Sequence, residues 1–91
     1  MIAIEVDPAK DAINRRKHGV ALAATAVLFE GLILRQPDDR FEYGEERWPA
    51  VGRIGDQALA ACCTMRGRAY RIISLRRASR KERLAYAQAY P

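Results

Sequence analysis

The sequence has little of what metal or disulfide chemistry needs. It contains a single histidine, His18, and two cysteines, Cys62 and Cys63, which are adjacent. Consecutive residues of a strand point to opposite faces, so the two thiols can neither share a metal ion nor easily bridge each other. No zinc site can be composed from this set, and we expect neither a metal nor another cofactor. Two buried thiols in a reducing compartment fit the pattern best.

Long apolar runs are also missing. The longest, residues 19–29, is too short to cross a bilayer, and no signal peptide precedes it. We therefore expect a cytoplasmic protein that does not bind a membrane. Ninety-one residues, 49% of them hydrophobic and 30% charged, predict one globular domain over 1–91 with a single modest core.

Positive charge is concentrated at the carboxyl-terminal end. Residues 66–91 hold eight Lys or Arg and one Glu, a net charge of +7, whereas residues 36–56 hold three Arg and six acidic residues, a net charge of −3. This asymmetry favours binding to a polyanion, with nucleic acid as the first inference. A soluble basic domain with a solvated arginine face explains the charge alone about equally well.

The amino-terminal half predicts a strand and two helices. Alternation over 2–6 indicates a short strand, and Asp7 followed by Pro8 is typical of a helix start, with the helix reaching about residue 17. A second helix is expected over 21–30. The apolar face of the first helix would hold Ala9, Ala12, Ile13 and, at its margin, Arg16; that of the second would hold Leu22, Ala26 and Phe29.

The carboxyl-terminal half predicts an antiparallel meander that ends in a helix. A strand over 32–35 and a loop over 37–45 come first, followed by strands over 47–54, 57–65 and 70–75. Pro49 should confine its strand to an edge or interrupt its ladder. Ser79 with Glu82 three residues later is a capping box that begins the last helix. The fold class is therefore α+β.

The strand at 70–75 would be a central one, buried on both faces. Strict alternation puts Tyr70, Ile72, Ser74 and Arg76 on one face and Arg71, Ile73, Leu75 and Arg77 on the other. Its terminal arginines run directly into a helix whose first turn adds Arg80, Lys81 and Arg83. Five cations at the end of a buried strand are costly to assemble unless an anion binds there, so this junction is the candidate site.

Several short motifs occur along the chain in one order. They are Glu5-Val6-Asp7-Pro8-Ala9-Lys10, Asn14, Lys17-His18-Gly19-Val20, Asp39-Arg40, Tyr43-Gly44-Glu45-Glu46-Arg47-Trp48, Gly52, Thr64, Ile72-Ile73-Ser74-Leu75-Arg76-Arg77-Ala78, Arg80, Glu82, Arg83 and Tyr86. In this combination the sequence resembles the BrnT-type toxins over nearly its whole length. Each motif alone is a weak signal, and the combination is specific.

The resemblance implies a small RelE-like domain and a metal-independent endoribonuclease of a type II toxin–antitoxin pair. It also implies inhibition of translation and growth, and a BrnA-like ribbon-helix-helix antitoxin that neutralises the toxin. DNA would be bound only indirectly, through the antitoxin. Two departures stand out: Met65 lies where relatives usually place an acidic residue, and Pro49 replaces an ordinary strand residue. The first could remove a charged group near the site.

Cleavage of RNA without a metal needs a base near the ribose 2′-OH, cations on the phosphorane and an acid at the leaving 5′-oxygen. Arg76 and Arg77 are the candidate phosphate ligands, because a guanidinium suits a phosphate better than an ammonium does; ion pairing with Asp39, Glu45 or Glu46 is the alternative. His18 is a candidate base or acid, or a side chain that favours the helix dipole. Glu46 is a second candidate base, or a partner of Arg76.

The other candidates would chiefly bind RNA. Arg80 and Arg83 would bind flanking phosphates or the antitoxin. Lys17 would contact a phosphate or cap the end of its own helix. Tyr43 would stack on a nucleotide base or donate a proton, or it would cover the core. Arg66 and Arg47 complete the set of candidate RNA-binding residues. Two rival functions stay open at this point: a non-enzymatic nucleic-acid-binding module, and an inactive module that only docks its antitoxin.

Overall fold

The chain folds around a five-stranded sheet with helical segments on both faces, and its class is α+β as predicted. The computed structural model describes residues 3–35, 41–42 and 45–91, with the backbone alone at 41, 42, 45 and 46. The elements in this part of the chain are β1 (Ile4–Glu5), α1 (Pro8–His18), a 3₁₀ turn (Leu22–Ala24), α2 (Thr25–Leu28), β2 (Leu34–Arg35), β3 (Phe41–Glu42), β4 (Glu45–Glu46), β5 (Trp48–Ile54), β6 (Gln57–Arg66), β7 (Ala69–Arg77) and α3 (Arg80–Ala89).

The sheet has the strand order β1-β7-β6-β5-β2. The last three long strands, β5, β6 and β7, pair antiparallel with their neighbours in the chain, whereas β1 pairs parallel with β7. A separate hairpin of β3 and β4 pairs Phe41 with Glu46. The predicted loop over 37–45 is therefore wrong at residues 41, 42 and 45; residues 36–40 and 43–44 lie outside the described part.

Pro49 does not lie on an edge strand, because β2 pairs with β5 on its outer side. That pairing joins Leu34 to Val51 and Arg35 to Ala50, so in the described residues it ends one position before Pro49. On its other side Pro49 lies opposite Cys62 of β6.

Two apolar clusters lie on the two faces of the sheet. The larger one packs residues of the helical segments, Leu22, Leu28 and Phe29, against the sheet residues Trp48, Leu59, Ile72 and Leu75. The smaller one lies under α3 and contains Val51, Ala60, Ala78 and Tyr86. Gly52 is needed at the first interface, since a Cβ there would lie 2.9 Å from Leu28 Cδ1.

The first helix forms as predicted but is rotated differently. Asp7 caps it by accepting a hydrogen bond from Ala9 N, and Gly19 ends it with φ of 74°. Its buried residue is Asn14, whereas Ile13 is 59% exposed, and Ala9, Ala12 and Arg16 are exposed as well. The predicted apolar face is thus wrong, because hydrogen bonds made by Asn14 decide which side of the helix meets the sheet.

The predicted second helix is replaced by a 3₁₀ turn and a single turn of α-helix. Neither segment has a side-chain cap at its start, and an uncapped alanine-rich helix of this length gains little from propensity alone. Leu22 and Phe29 are buried as predicted, and Ala26 is half-buried.

A β-bulge in β7 overturns the predicted alternation of that strand. Cys62 pairs with Ser74 and Cys63 with Ile72, which leaves Ile73 as the extra residue. Tyr70, Ile72, Leu75 and Arg77 consequently share the face of the larger cluster. Arg71, Ser74 and Arg76 share the other face. Arg76 and Arg77 still point in opposite directions, but each lies on the face opposite to the predicted one.

The two cysteines differ in their surroundings. Both are free thiols; Cys63 is buried and Cys62 is half-buried, so the prediction of two buried thiols holds for Cys63 alone. Burial raises the pKa of the Cys63 thiol to about 12. None of the helices that the described residues form is long and apolar enough to span a membrane.

Candidate active site

The junction between β7 and α3 is fixed by a capping box. Glu82 N donates to Ser79 Oγ at 3.2 Å, and Ser79 N donates to Glu82 Oε1 at 2.8 Å. This confirms the predicted helix start and brings the Glu82 carboxylate back over the end of the strand. The strand end and the first helical turn are therefore held as one unit.

Arg76 makes a two-point ion pair with that same carboxylate. Its Nη1 lies 2.7 Å from Glu82 Oε1 and its Nη2 lies 3.0 Å from Oε2. The pair lowers the pKa of Glu82 to about 2 from its ordinary 4.5, chiefly through the hydrogen bond from Arg76, and it raises the pKa of Arg76. The partner of Arg76 is thus Glu82.

Not all N–H groups of Arg76 are used by these contacts. A guanidinium has five; two donate to Glu82 and a third donates from Nη1 to the carbonyl of Arg77 at 3.1 Å. The N–H groups left, on Nε and Nη2, lie on one edge of the group. Since the side chain is 43% exposed, this edge can bind two oxygens of a phosphate while Glu82 holds the other edge.

Arg77 lines an open cleft of about 480 Å³ at the end of the sheet. The cleft is bounded by Arg77, Ala78 and Arg83 on one side and by Ile54, Asp56, Gln57 and Ala58 on the other. Arg83 donates from Nη1 to the carbonyl of Ala78 at 2.9 Å. In the described part of the chain no ion-pair partner contacts Arg77, so the cleft presents two guanidinium groups to solvent.

Asn14 attaches α1 to the edge of β7. Its Nδ2 donates to the carbonyls of Leu75 and Val20 at 2.8 and 2.9 Å, and its Oδ1 accepts from Leu75 N at 3.1 Å. The amide therefore takes the place of a neighbouring strand at the residue directly before Arg76. Asn14 is 5% exposed, so these bonds are made away from water.

Beside this attachment lies a cavity of about 240 Å³, open to solvent, between α1 and β7. One side is formed by Lys10, Ile13, Asn14, Lys17 and His18 of the helix, and the other by Ile73 and Ser74 of the bulged strand. Ser74 shares its strand face with Arg76, two residues on, so their Cα atoms lie roughly 7 Å apart. The bulge thus places the only imidazole of the sequence and two lysines beside the strand that carries Arg76.

A comparison with protein families decides the identity of the chain. Residues 7–82 match the family described as the ribonuclease toxin, BrnT, of type II toxin–antitoxin systems. The chain belongs to the BrnT family. No curated protein matches the sequence. Membership implies an RNA substrate and an antitoxin partner.

Several predicted site residues of this BrnT-family chain lie far from the junction. Arg66 is exposed at the turn before β7 and pairs with Ala69. Because β7 has nine residues, at about 3.3 Å each, its ends lie roughly 26 Å apart, so Arg66 and Arg77 cannot contact the same phosphate. Met65 lies at the same distant end and is 47% exposed.

The remaining candidates are spread over other elements. Arg47 is half-buried between β4 and β5, and Arg80 and Lys81 are exposed on the first turn of α3. Glu46 pairs through its backbone with Phe41, and its side chain lies outside the described part, as does the whole of Tyr43. Among the residues that the structure describes, no three His, Cys, Asp or Glu side chains converge as a metal site would require.

Sequence reasoning missed the residues that hold the site together. Glu82 was recognised as a cap, but its second role as the partner of Arg76 depends on the direction in which the strand enters the helix. From the sequence, Asn14, Lys10 and Ser74 are motif residues only and do not belong to the predicted site. The signal in the sequence is Asn14 itself, a polar residue that directly follows Ala12 and Ile13 of the predicted apolar face.

Proposed function

We propose that this BrnT-family chain is a RelE-like endoribonuclease that cleaves RNA without a metal ion. The observation that carries the proposal is the cavity between α1 and β7, where His18 and two lysines face the strand that bears Arg76. This arrangement combines a group able to transfer a proton with groups able to stabilise negative charge. Those are the two requirements of phosphodiester cleavage by an internal nucleophile.

The reaction uses the ribose 2′-hydroxyl as its nucleophile. Neutral His18 takes the 2′-OH proton, the 2′-oxygen forms a bond to phosphorus, and the bond from phosphorus to the 5′-oxygen breaks. The leaving 5′-oxygen takes a proton from Lys17, which shares the cavity. The products are a 2′,3′-cyclic phosphate and a 5′-hydroxyl, and no water or redox partner enters the step.

Arg76 would stabilise the phosphorane through its unused Nε and Nη2 edge. Because Glu82 already fixes the other edge at 2.7 and 3.0 Å, the guanidinium loses little side-chain freedom when it binds the phosphate. Preorganised donors of this kind stabilise developing charge better than mobile ones do. The lysine ammonium groups of the cavity, Lys10 and Lys17, add positive charge on the other side.

Glu46 is the competing candidate for the base. It is the last residue of β4, directly before Arg47, and a carboxylate acts as a base near neutral pH only when its surroundings raise its pKa. The two assignments differ in a measurable way. Loss of cleavage in His18→Gln with retention in Glu46→Gln supports His18, and the reverse pattern assigns Glu46.

The partner in this proposal is a BrnA-like ribbon-helix-helix antitoxin. It would neutralise the nuclease, and the complex would bind DNA only through the antitoxin. Free toxin would cut RNA in the cytoplasm, inhibit translation and stop growth. Expression of the chain alone should therefore arrest growth, and co-expression of the antitoxin should relieve the arrest.

The test is cleavage of RNA by the purified protein in EDTA. We expect products with 2′,3′-cyclic phosphate ends and a loss of about 100-fold or more in rate for His18→Gln and for Arg76→Gln. Arg68→Gln is the matched control, since it removes an exposed arginine at the distant β6–β7 turn and should cleave at the wild-type rate. A requirement for added Mg²⁺, or full activity in Arg76→Gln, would show that the mechanism is wrong.

A non-enzymatic binding module is the second candidate. The observation in its favour is the ion pair itself, because Glu82 neutralises much of the positive charge that Arg76 offers to a phosphate. Salt-sensitive binding of RNA without cleavage products would support this reading. Antitoxin binding without growth arrest would support the docking module instead.

A further inference from the structure

We infer that the cleft between Arg77 and Arg83 binds a second phosphate of the RNA, next to the one that is cleaved. The inference rests on the proposed function, because it takes Arg76 as the ligand of the scissile phosphate. It gives Arg77 a role in substrate binding, separate from the chemical step. The ligand class is the phosphodiester backbone of single-stranded RNA.

The directions of the two adjacent arginines are the first argument. Their Cα atoms are one residue apart, but Arg76 shares a face with Ser74 and contacts Glu82, whereas Arg77 points to the opposite face of β7. The Arg76 guanidinium is held by Glu82 of α3, and Arg77 lines the cleft at the end of the strand. Side chains that leave a strand on opposite faces are suited to holding two different phosphates.

The state of the cleft arginines is the second argument. Arg83 is anchored by one hydrogen bond to the Ala78 carbonyl, 2.9 Å long, which leaves most of its N–H groups available. Arg77 is exposed, and among the described residues it has no acidic partner. The carboxylate that lines the cleft, Asp56, is itself fully exposed and lies 3.8 Å from Arg53, so it compensates neither cleft arginine closely.

Continuity with Arg76 favours RNA as the occupant. The next residue in the chain after Arg76 is Arg77, the first cation of the cleft, and α3 supplies the second, Arg83. An occupant that reaches both sides of the strand end is an extended chain with regularly spaced negative charges. A nucleic-acid strand whose scissile phosphate lies at Arg76 has this form.

The test measures binding of an RNA hexanucleotide with 2′-O-methyl riboses, which lacks the nucleophile and stays intact. Each phosphate in turn is replaced by a neutral methylphosphonate. For wild type we expect the replacement beside the scissile position to weaken binding about fivefold, and Arg77→Gln and Arg83→Gln to weaken the all-phosphate RNA by a similar factor. In Arg77→Gln the same replacement should have no further effect.

Salt dependence gives a second readout. Each lost phosphate contact should lower the slope of log K against log salt by about 0.7 for a single strand. Lys81→Gln is the matched control: it removes one charge from the same helix, but Lys81 does not line the cleft. We expect the methylphosphonate beside the scissile position to weaken RNA binding by Lys81→Gln as much as it weakens binding by the wild type.

Three results would overturn the inference. One is equal weakening by Arg77→Gln and Lys81→Gln at every position, which indicates non-specific attraction. Another is unchanged RNA binding in Arg77→Gln together with weaker antitoxin binding, which assigns the cleft to the protein partner. The third is that the methylphosphonate beside the scissile position weakens RNA binding by Arg77→Gln as much as it weakens binding by the wild type. Cleavage in EDTA is measured in a separate experiment. If the wild-type protein did not cleave RNA there, the proposed function would be contradicted, whereas the binding measurements would still test this inference.

Discussion

Both ends of β7 carry arginine residues, but the surroundings of these arginines differ. At its amino end the strand lies between β1 and β6, and Arg71 is 22% exposed, with Glu5 and Asp7 each 3.7 Å from its guanidinium. At its carboxyl end, beyond the bulge at Ile73, β1 no longer pairs with it and Asn14 takes its place. There, within the part of the chain that the structure describes, Arg76 keeps one unbonded edge and Arg77 has no acidic partner.

The comparison shows that charge counting alone cannot identify a functional arginine. Arg71 belongs to the same basic segment as Arg76, but two carboxylates compensate it and strand pairing surrounds it. At the carboxyl end, the side chain of Asn14 bonds the outer edge of β7 at Leu75, where no strand among the described residues pairs with that edge. This arrangement leaves space for the cavity between α1 and β7. Function at that end is therefore expected to depend on Asn14 and Glu82, and function should be insensitive to changes at the amino end.

The largest expected effect comes from Asn14→Ala. It leaves the buried N–H and carbonyl of Leu75 and the carbonyl of Val20 without their side-chain partner. At about 1–3 kcal/mol for each unsatisfied buried group, the free energy of unfolding should fall by about 3 kcal/mol or more. Urea unfolding measures this, and the loss is a large part of the 5–15 kcal/mol typical of a small domain.

Ile13→Ala is the control for that change. Ile13 precedes Asn14 on the same helix but is 59% exposed, so its truncation should cost less than about 1 kcal/mol. If Ile13→Ala were the more destabilising of the two, the helix would be held by apolar packing and the role of Asn14 at the strand edge would be refuted.

A smaller, pH-dependent effect is expected from Glu82→Gln. A glutamine at this position can still accept the bond from Ser79 N, but it loses the charge that pairs with Arg76. Because the folded-state pKa of Glu82 is about 2, below the ordinary 4.5, its contribution is complete above pH 4.5 and is lost as the pH falls towards 2. Because the Arg76 side chain is 43% exposed, solvent screening limits the contribution of the ion pair to the free energy of unfolding to about 1–2 kcal/mol.

The measurement is the unfolding free energy of both proteins between pH 2 and 7. The difference should be about 1–2 kcal/mol at pH 6 and should approach zero near pH 2. Ser79→Ala supplies the comparison, since it removes the cap, costs about 1 kcal/mol and keeps the ion pair. A gap between wild type and Glu82→Gln that did not change with pH would mean that the ion pair contributes nothing.

The smallest effect is expected from Met65→Glu, which introduces an acidic residue near the end of β6, opposite the amino end of β7. Met65 is 47% exposed and pairs with Tyr70, roughly 23 Å along the strand from Arg77. We expect the rate of RNA cleavage to change less than twofold and the unfolding free energy to change by less than about 0.5 kcal/mol. A tenfold gain in rate would instead indicate that the active site lies near Arg66.

Local signals in the sequence predicted much of the fold. Asp7 and Pro8 begin α1, Ser79 and Glu82 begin α3, and the turn residues separate β5, β6 and β7 close to the predicted bounds. These features depend on neighbours within a few residues. They can be read from the sequence because the hydrogen bonds that create them are local.

The features that shape the site depend on contacts between distant residues. Asn14 bonds Leu75 across 61 positions, and the bulge at Ile73 follows from how β6 and β7 pair. No periodicity reveals either one. The bulge also reversed the predicted faces of Arg76 and Arg77, since a single extra residue shifts every later side chain of a strand to the other face.

The amide of Asn14 has a further consequence for association with other chains. Beyond Arg71 the outer edge of β7 is no longer covered by β1, and an open strand edge is where foreign strands add and aggregation begins. By occupying both backbone groups of Leu75, Asn14 prevents strand addition at that position. A partner that approaches this position must recognise side chains, because the backbone N–H and carbonyl of Leu75 are already bonded to Asn14.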